Sequence, residues 1–72
     1  MERYIVLDYY EDIEGEILGY DLPLDVAKEL ANERGEYTDG ECEIEIVSSE
    51  FDKDYYEFLM KRIIGETNLL FP

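Results

Sequence analysis

The sequence predicts a small α+β domain in the order strand, strand, helix, strand, helix (ββαβα). An antiparallel sheet of about three strands would carry both helices on one face. Three observations predict this. Residues 41–47 alternate acidic and apolar side chains, with Glu41, Glu43 and Glu45 on one side and Cys42, Ile44 and Ile46 on the other, the period of a half-buried strand. Residues 3–10 are dense in β-branched and aromatic types, as strands are. Two later stretches repeat apolar residues at helical spacing.

Taken in order, the first strand places Ile5, Leu7 and Tyr9 on one face, and Tyr4, Val6 and Tyr10 with Asp8 on the other. Its nearly continuous apolar run marks it as mostly buried. Residues 11–15 read as a turn, with Gly15 free to take a positive φ, and residues 16–20 as a short antiparallel second strand. Asp21, Leu22 and Pro23 open a helix, with Asp21 as the nearest capping side chain and Pro23 in the first turn. Its core stripe is Leu22, Val26, Ala27, Leu30 and Ala31, and Gly35 reads as its stop. Residues 37–40 form a turn signalled by Asp39-Gly40.

The alternating strand runs through Val47, and Ser48 or Ser49 then caps the second helix. Ser49 with Asp52 three residues on resembles a capping box. This helix spans about Phe51 to Ile64 and ends at Gly65. Tyr55, Phe58, Leu59 and Ile63 are its expected core stripe, flanked by Arg62. Tyr56, Met60 and Ile64 widen the apolar surface beyond what one small sheet needs. The apolar tail, residues 69–72, calls for a place in the core or a partner; a fourth edge strand over residues 69–71 is the alternative.

The 72 residues make one domain, 1–72, with a thin core. An apolar content of 46%, with seven tyrosines and three phenylalanines, argues against disorder. Twenty acidic residues against six basic give a net charge of −14, so the compact state repels itself and added salt should stabilise it. That sign disfavours direct binding to nucleic acid or to anionic membranes, and favours partners with cationic surfaces. The single cysteine, Cys42, cannot form an internal disulfide and is expected to pack as a small buried hydrophobe, which suits a reducing cytoplasm. No signal peptide is expected at Met1-Glu2-Arg3, and no apolar run approaches the ~18 residues of a membrane span.

Catalysis has little to work with. Asp8 is the best carboxylate candidate because it interrupts an apolar strand, but it is expected as an exposed residue on the wetter side. Without histidine, imidazole-based metal sites and Ser-His or Cys-His pairs are excluded within the chain. Neither residues 52–54 nor the cluster of Asp8, Glu11 and Asp12 has calcium-loop spacing. The scattered glycines form no phosphate loop. No enzyme, metal or cofactor is expected.

Surfaces remain. Acidic arrays surround the hairpin (Asp8, Glu11, Asp12, Glu14, Glu16), the third strand (Glu41, Glu43, Glu45) and the second helix (Glu50, Asp52, Asp54, Glu57). A solvated surface that keeps a small protein soluble explains part of this. Tyrosines beside ordered carboxylates suit an interface better, since Tyr is an efficient anchor. In size, charge, Tyr content and α+β plan the chain resembles phage-borne DNA mimics: anti-restriction proteins, uracil-DNA glycosylase inhibitors and acidic anti-CRISPR proteins. The resemblance covers overall character, and no residue's role is carried over from it. It implies an inhibitor of a nucleic-acid-binding protein, such as a CRISPR effector or a restriction enzyme, acting in the cytoplasm of a host.

Glu41, Glu43, Glu45, Glu14 and Glu16 are the expected contact residues, with Tyr20 or Tyr37 as anchor. The alternative is an adaptor or antitoxin-like module. It would bind through Tyr56, Met60, Ile64, Leu70 and Phe71, a surface that could also pair two copies.

Overall fold

A computed structural model describes residues 1–70 of the chain, with side chains through residue 65. Its elements are β1 (Tyr4–Tyr10), β2 (Ile13–Leu22), α1 (Leu24–Tyr37), β3 (Glu43–Ser48) and α2 (Lys53–Leu70), the α+β class and ββαβα order that the sequence predicts. The sheet is antiparallel with β1 in the middle, in the order β2-β1-β3. Leu70 ends α2 as a helical residue, so the alternative of an edge strand over residues 69–71 does not hold at Leu69 and Leu70; Phe71 and Pro72 lie outside the described residues.

The helices lie on opposite faces of the sheet, not together on one. Ile5 and Leu7 of β1, with Val47 of β3, pack on Leu59 of α2, with Ile17, Tyr55, Tyr56, Met60 and Ile63 around them. Tyr4 and Val6 point the other way and pack on Ala27 of α1, with Leu22, Leu30, Ala31, Ile44 and Ile46. The cause is in β1 itself. A strand apolar on both faces needs a cover on both, and each fully buried aliphatic side chain contributes about 1.5–3 kcal/mol. Ile5, Val6 and Leu7 are all fully buried.

The hairpin is tighter than residues 11–15 suggest. Tyr10 pairs with Ile13, and the two residues between them, Glu11 (φ 48°) and Asp12 (φ 66°), are both left-handed, as the primed turn of a two-residue hairpin requires. Gly15 therefore belongs to β2, which runs on to Leu22. Asp21 and Leu22, expected at the start of α1, are strand residues, and Pro23 takes the N-cap position with no side-chain cap. Asp21, left-handed at φ 52°, instead accepts from the Arg3 guanidinium at 3.0 Å. Val26, placed in the core stripe, is exposed.

Neither Gly35 nor Gly65 stops its helix. α1 continues to Tyr37, where Thr38 caps it with both its backbone N–H and its hydroxyl on the Arg34 carbonyl. α2 continues to Leu70. Its entry is organised by Ser48 rather than Ser49. The Ser48 hydroxyl oxygen accepts the N–H groups of Glu50 and Phe51 at 3.1 Å each, and the Asp52 carboxylate accepts the Ser48 N–H at 3.2 Å. This reciprocal arrangement works as a capping box does. The Ser49 hydroxyl accepts the Arg3 N–H and so ties the N-terminal segment to the end of β3.

Two expectations for α2 change. Phe58 is 56% exposed, stacked on Tyr55 with ring centroids 6.4 Å apart, while Tyr56 and Met60 pack on the core.

Candidate binding surface

The two edges of the sheet differ in geometry. Ten residues of β2 run beside seven of β1, and the register slips at three places, so β2 carries three extra residues. Each such bulge bends a strand and increases its twist. β3, in contrast, pairs with β1 residue for residue from Tyr4↔Ser48 to Tyr9↔Glu43 with no slip. The β2 edge is thus irregular and the β3 edge regular.

Charge follows the same division. One bulge sets Gly15 and Glu16 opposite Asp8, between the pairs Leu7↔Ile17 and Tyr9↔Glu14. Asp8 is 7% exposed, not the solvent-facing residue that the alternation suggests. Its carboxylate turns back to accept the Glu16 N–H at 2.6 Å and lies 3.7 Å from the Arg34 guanidinium. A buried carboxylate held by a backbone donor and an arginine is a structural group. Arg34 also pairs with Glu16 at 3.2 Å and lies 5.7 Å from the Tyr37 ring centre, within cation–π range. Arg62 pairs with Glu14, and Arg3 with Asp21. Among the described residues, these ion pairs run from an arginine to a carboxylate on β1 or β2.

No ion pair among the described residues reaches Glu41, Glu43 or Glu45. Cross-strand partners share a face, so Glu43 and Glu45 lie on the α2 side with Tyr9 and Leu7, and Ile44 and Ile46 on the α1 side. Glu43 and Glu45 are exposed on β3, and Glu41 is exposed in the bend before it. Cys42, in the same bend, is only partly buried, so the expected buried thiol is not found. Tyr9 sits beneath this row, its hydroxyl 2.5 Å from that of Tyr55. Burial first, then Tyr55 and the Glu45 carboxylate, push its ionisation far above the ordinary tyrosine range.

The expected site residues therefore divide into two groups. Glu41, Glu43 and Glu45 line one edge of the sheet. Glu14, Glu16 and Tyr20 lie on the opposite strand, where Glu14 and Glu16 are already paired to arginine. Tyr37, 83% exposed, joins the second group at an open groove of about 590 Å³ between α1 and β2, lined by Glu16, Leu18, Leu30, Glu33 and Arg34. Of the alternative interface, Tyr56 and Met60 belong to the core and Ile64 is 53% exposed; the side chain of Leu70 and all of Phe71 lie outside the described residues.

Arg34 is the organising residue that sequence reasoning missed. Its signal was its place as the one cation in the last turn of an acidic helix.

No group of three or more Cys, Asp or Glu side chains among the described residues is arranged to hold a metal ion, and no helix is long and apolar enough to cross a membrane. Comparison with protein-family models, with curated proteins and with solved structures returns no match.

Proposed function

We propose that this chain is a binding protein that places an acidic strand edge in the basic nucleic-acid groove of a partner and so blocks it, in the manner of anti-restriction and anti-CRISPR inhibitors. The observation that carries this reading is the segregation of charge. The arginines pair with Asp8, Glu14, Glu16 and Asp21 on β1 and β2, and no ion pair among the described residues reaches Glu43 and Glu45 on β3 or Glu41 in the bend before it. Alternate residues of a strand are about 6.6–6.8 Å apart, so Glu43 and Glu45 form part of an evenly spaced anionic track on a rigid element. Carboxylates held in this way lose little side-chain freedom when a cationic surface docks.

The test is capture of basic nucleic-acid-binding proteins on the immobilised chain, with duplex DNA as competitor. The native chain should hold such a protein, DNA should displace it, and the triple variant E41K/E43K/E45K should lose it. Reversal of Asp25, Glu29 and Glu33 on α1 should have far less effect. Equal loss from both triple variants would show that the site is not the β3 edge. A captured protein that DNA leaves untouched would refute groove occupancy.

A further inference from the structure

We infer that the open edge of β3 recruits an extended basic segment of the partner as a fourth strand, with main-chain hydrogen bonds supplying register and Glu43 and Glu45 selecting Lys or Arg at alternate positions. This rests on the proposed binding role and specifies how the partner is gripped.

Three observations carry it. First, β3 pairs on one side only, with β1, and among the described residues no other strand lies beyond it. Edge strands expose unpaired N–H and C=O groups that template another strand unless the edge is distorted or guarded. Second, the protein distorts its other edge, with three slips in β2, and leaves six consecutive pairs of β1 and β3 regular. A regular edge is the geometry that strand addition needs. Third, the side chains along β3 specify the occupant. Glu43 and Glu45 call for cations on the α2 side of an incoming strand. Ile44 and Ile46, half-buried against α1, call for apolar residues on the other side.

The matching segment is about six residues long and alternates basic with apolar side chains, since β3 itself spans six residues. A second copy of this chain does not fit, because its β3 would bring glutamates against Glu43 and Glu45, and like charges directly opposite are destabilising.

The experiment uses the full chain, isotope-labelled, with a capped peptide of about six residues alternating Lys and Val as probe. A second peptide of identical side chains carries N-methyl groups on the amides of one edge; these remove donors without changing charge. The first peptide should slow hydrogen exchange of those β3 amides that face away from β1. It should also bind at least about tenfold more tightly than the N-methylated one, as the loss of two or three backbone hydrogen bonds implies. E43K/E45K should abolish binding of both.

Equal affinity of the two peptides with unchanged β3 exchange would overturn strand addition while leaving charge-driven docking intact. Failure of both peptides at low salt would overturn the acidic-edge reading as well. Protection of β3 amides that grows with protein concentration alone would place a second copy at the edge and refute the assignment.

Discussion

Replacing Gly15 by Ala tests whether the bulge opposite Asp8 holds its carboxylate on the Glu16 N–H. A Cβ built on Gly15 lies 2.2 Å from Oδ1 of Asp8 and 3.1 Å from its carbonyl oxygen. The first distance is far inside contact, so the carboxylate must swing away and surrender its 2.6 Å bond to the Glu16 N–H. A bond to a charged acceptor contributes about 1.5–3 kcal/mol. Against this, Ala recovers about 0.4–1 kcal/mol through the unfolded state. Gly15→Ala should therefore cost about 0.5–2.6 kcal/mol, a measurable part of the roughly 4–11 kcal/mol typical of a chain this size.

Asp8→Ala should cost about 2–3 kcal/mol, because it orphans the same N–H and the exposed Arg34–Glu16 pair returns little. In the double variant the clash with the carboxylate has gone while the unfolded-state gain of Ala remains, so the total should fall about 0.4–1 kcal/mol below that of Asp8→Ala alone, a coupling of about 1.5–3 kcal/mol. Urea denaturation of the four proteins at constant m measures the cycle. Additive costs, or a neutral Gly15→Ala, would refute the shared contact.

Four further outcomes follow from the same structure. Gly35→Ala should raise stability by about 0.5–1 kcal/mol in urea, since the glycine is helical and a Cβ there meets nothing within 4 Å; a loss would mean that α1 bends at this point. Melting temperature should rise as NaCl is added from low to physiological levels, because screening relieves the −14 net charge; a steady fall would contradict self-repulsion.

In base, stability should fall as pH rises above about 10. Tyr4 is pushed up to about 12, first by its bond to Glu2, and burial raises Tyr9 further, so the folded chain holds protons that the unfolded chain releases. Tyr4→Phe and Tyr9→Phe should each flatten the decline, and a profile already level from pH 9 upward would remove its basis. Finally, E43T/E45T should self-associate in sedimentation at concentrations where the native chain stays monomeric, because it removes the like-charge repulsion between the β3 edges of two copies.

The element order was legible because each element carries its own period. The alternation in residues 41–47 and the doubly apolar run of β1 survive intact in the fold. That same double-sided run also held the answer to where the helices go, since Ile5 and Leu7 need a different cover from Tyr4 and Val6. The glycines misled for a physical reason. Gly is the usual helix stop because it takes a positive φ easily, but only Gly40 among them does so. The left-handed positions of the hairpin fall on Glu11 and Asp12, which no composition rule favours together. Bulges leave still less trace. The sequence shows Asp8 breaking an apolar strand, but only the register of β2 reveals that a freed N–H lies opposite to receive it.

The placement of arginine bears on what the acidity is for. In a chain made acidic only for solubility or high salt, compensating cations would have no reason to gather on one strand. Here Arg3, from the segment before β1, Arg34, from α1, and Arg62, from α2, all reach carboxylates on β1 or β2. These pairs secure the most distorted part of the fold, where bulges have removed regular ladder bonds. In the proposed role, Glu14 and Glu16 would meet a cationic surface already partly neutralised by Arg62 and Arg34. The β3 edge needs no such help, since its pairing with β1 is continuous, and no ion pair among the described residues reaches its glutamates. Reversal of Glu14 and Glu16 should thus register mainly as lost stability, and reversal of Glu43 and Glu45 mainly as lost binding. A chain in which both pairs affected stability and binding in the same proportion would not have divided its charge in this way.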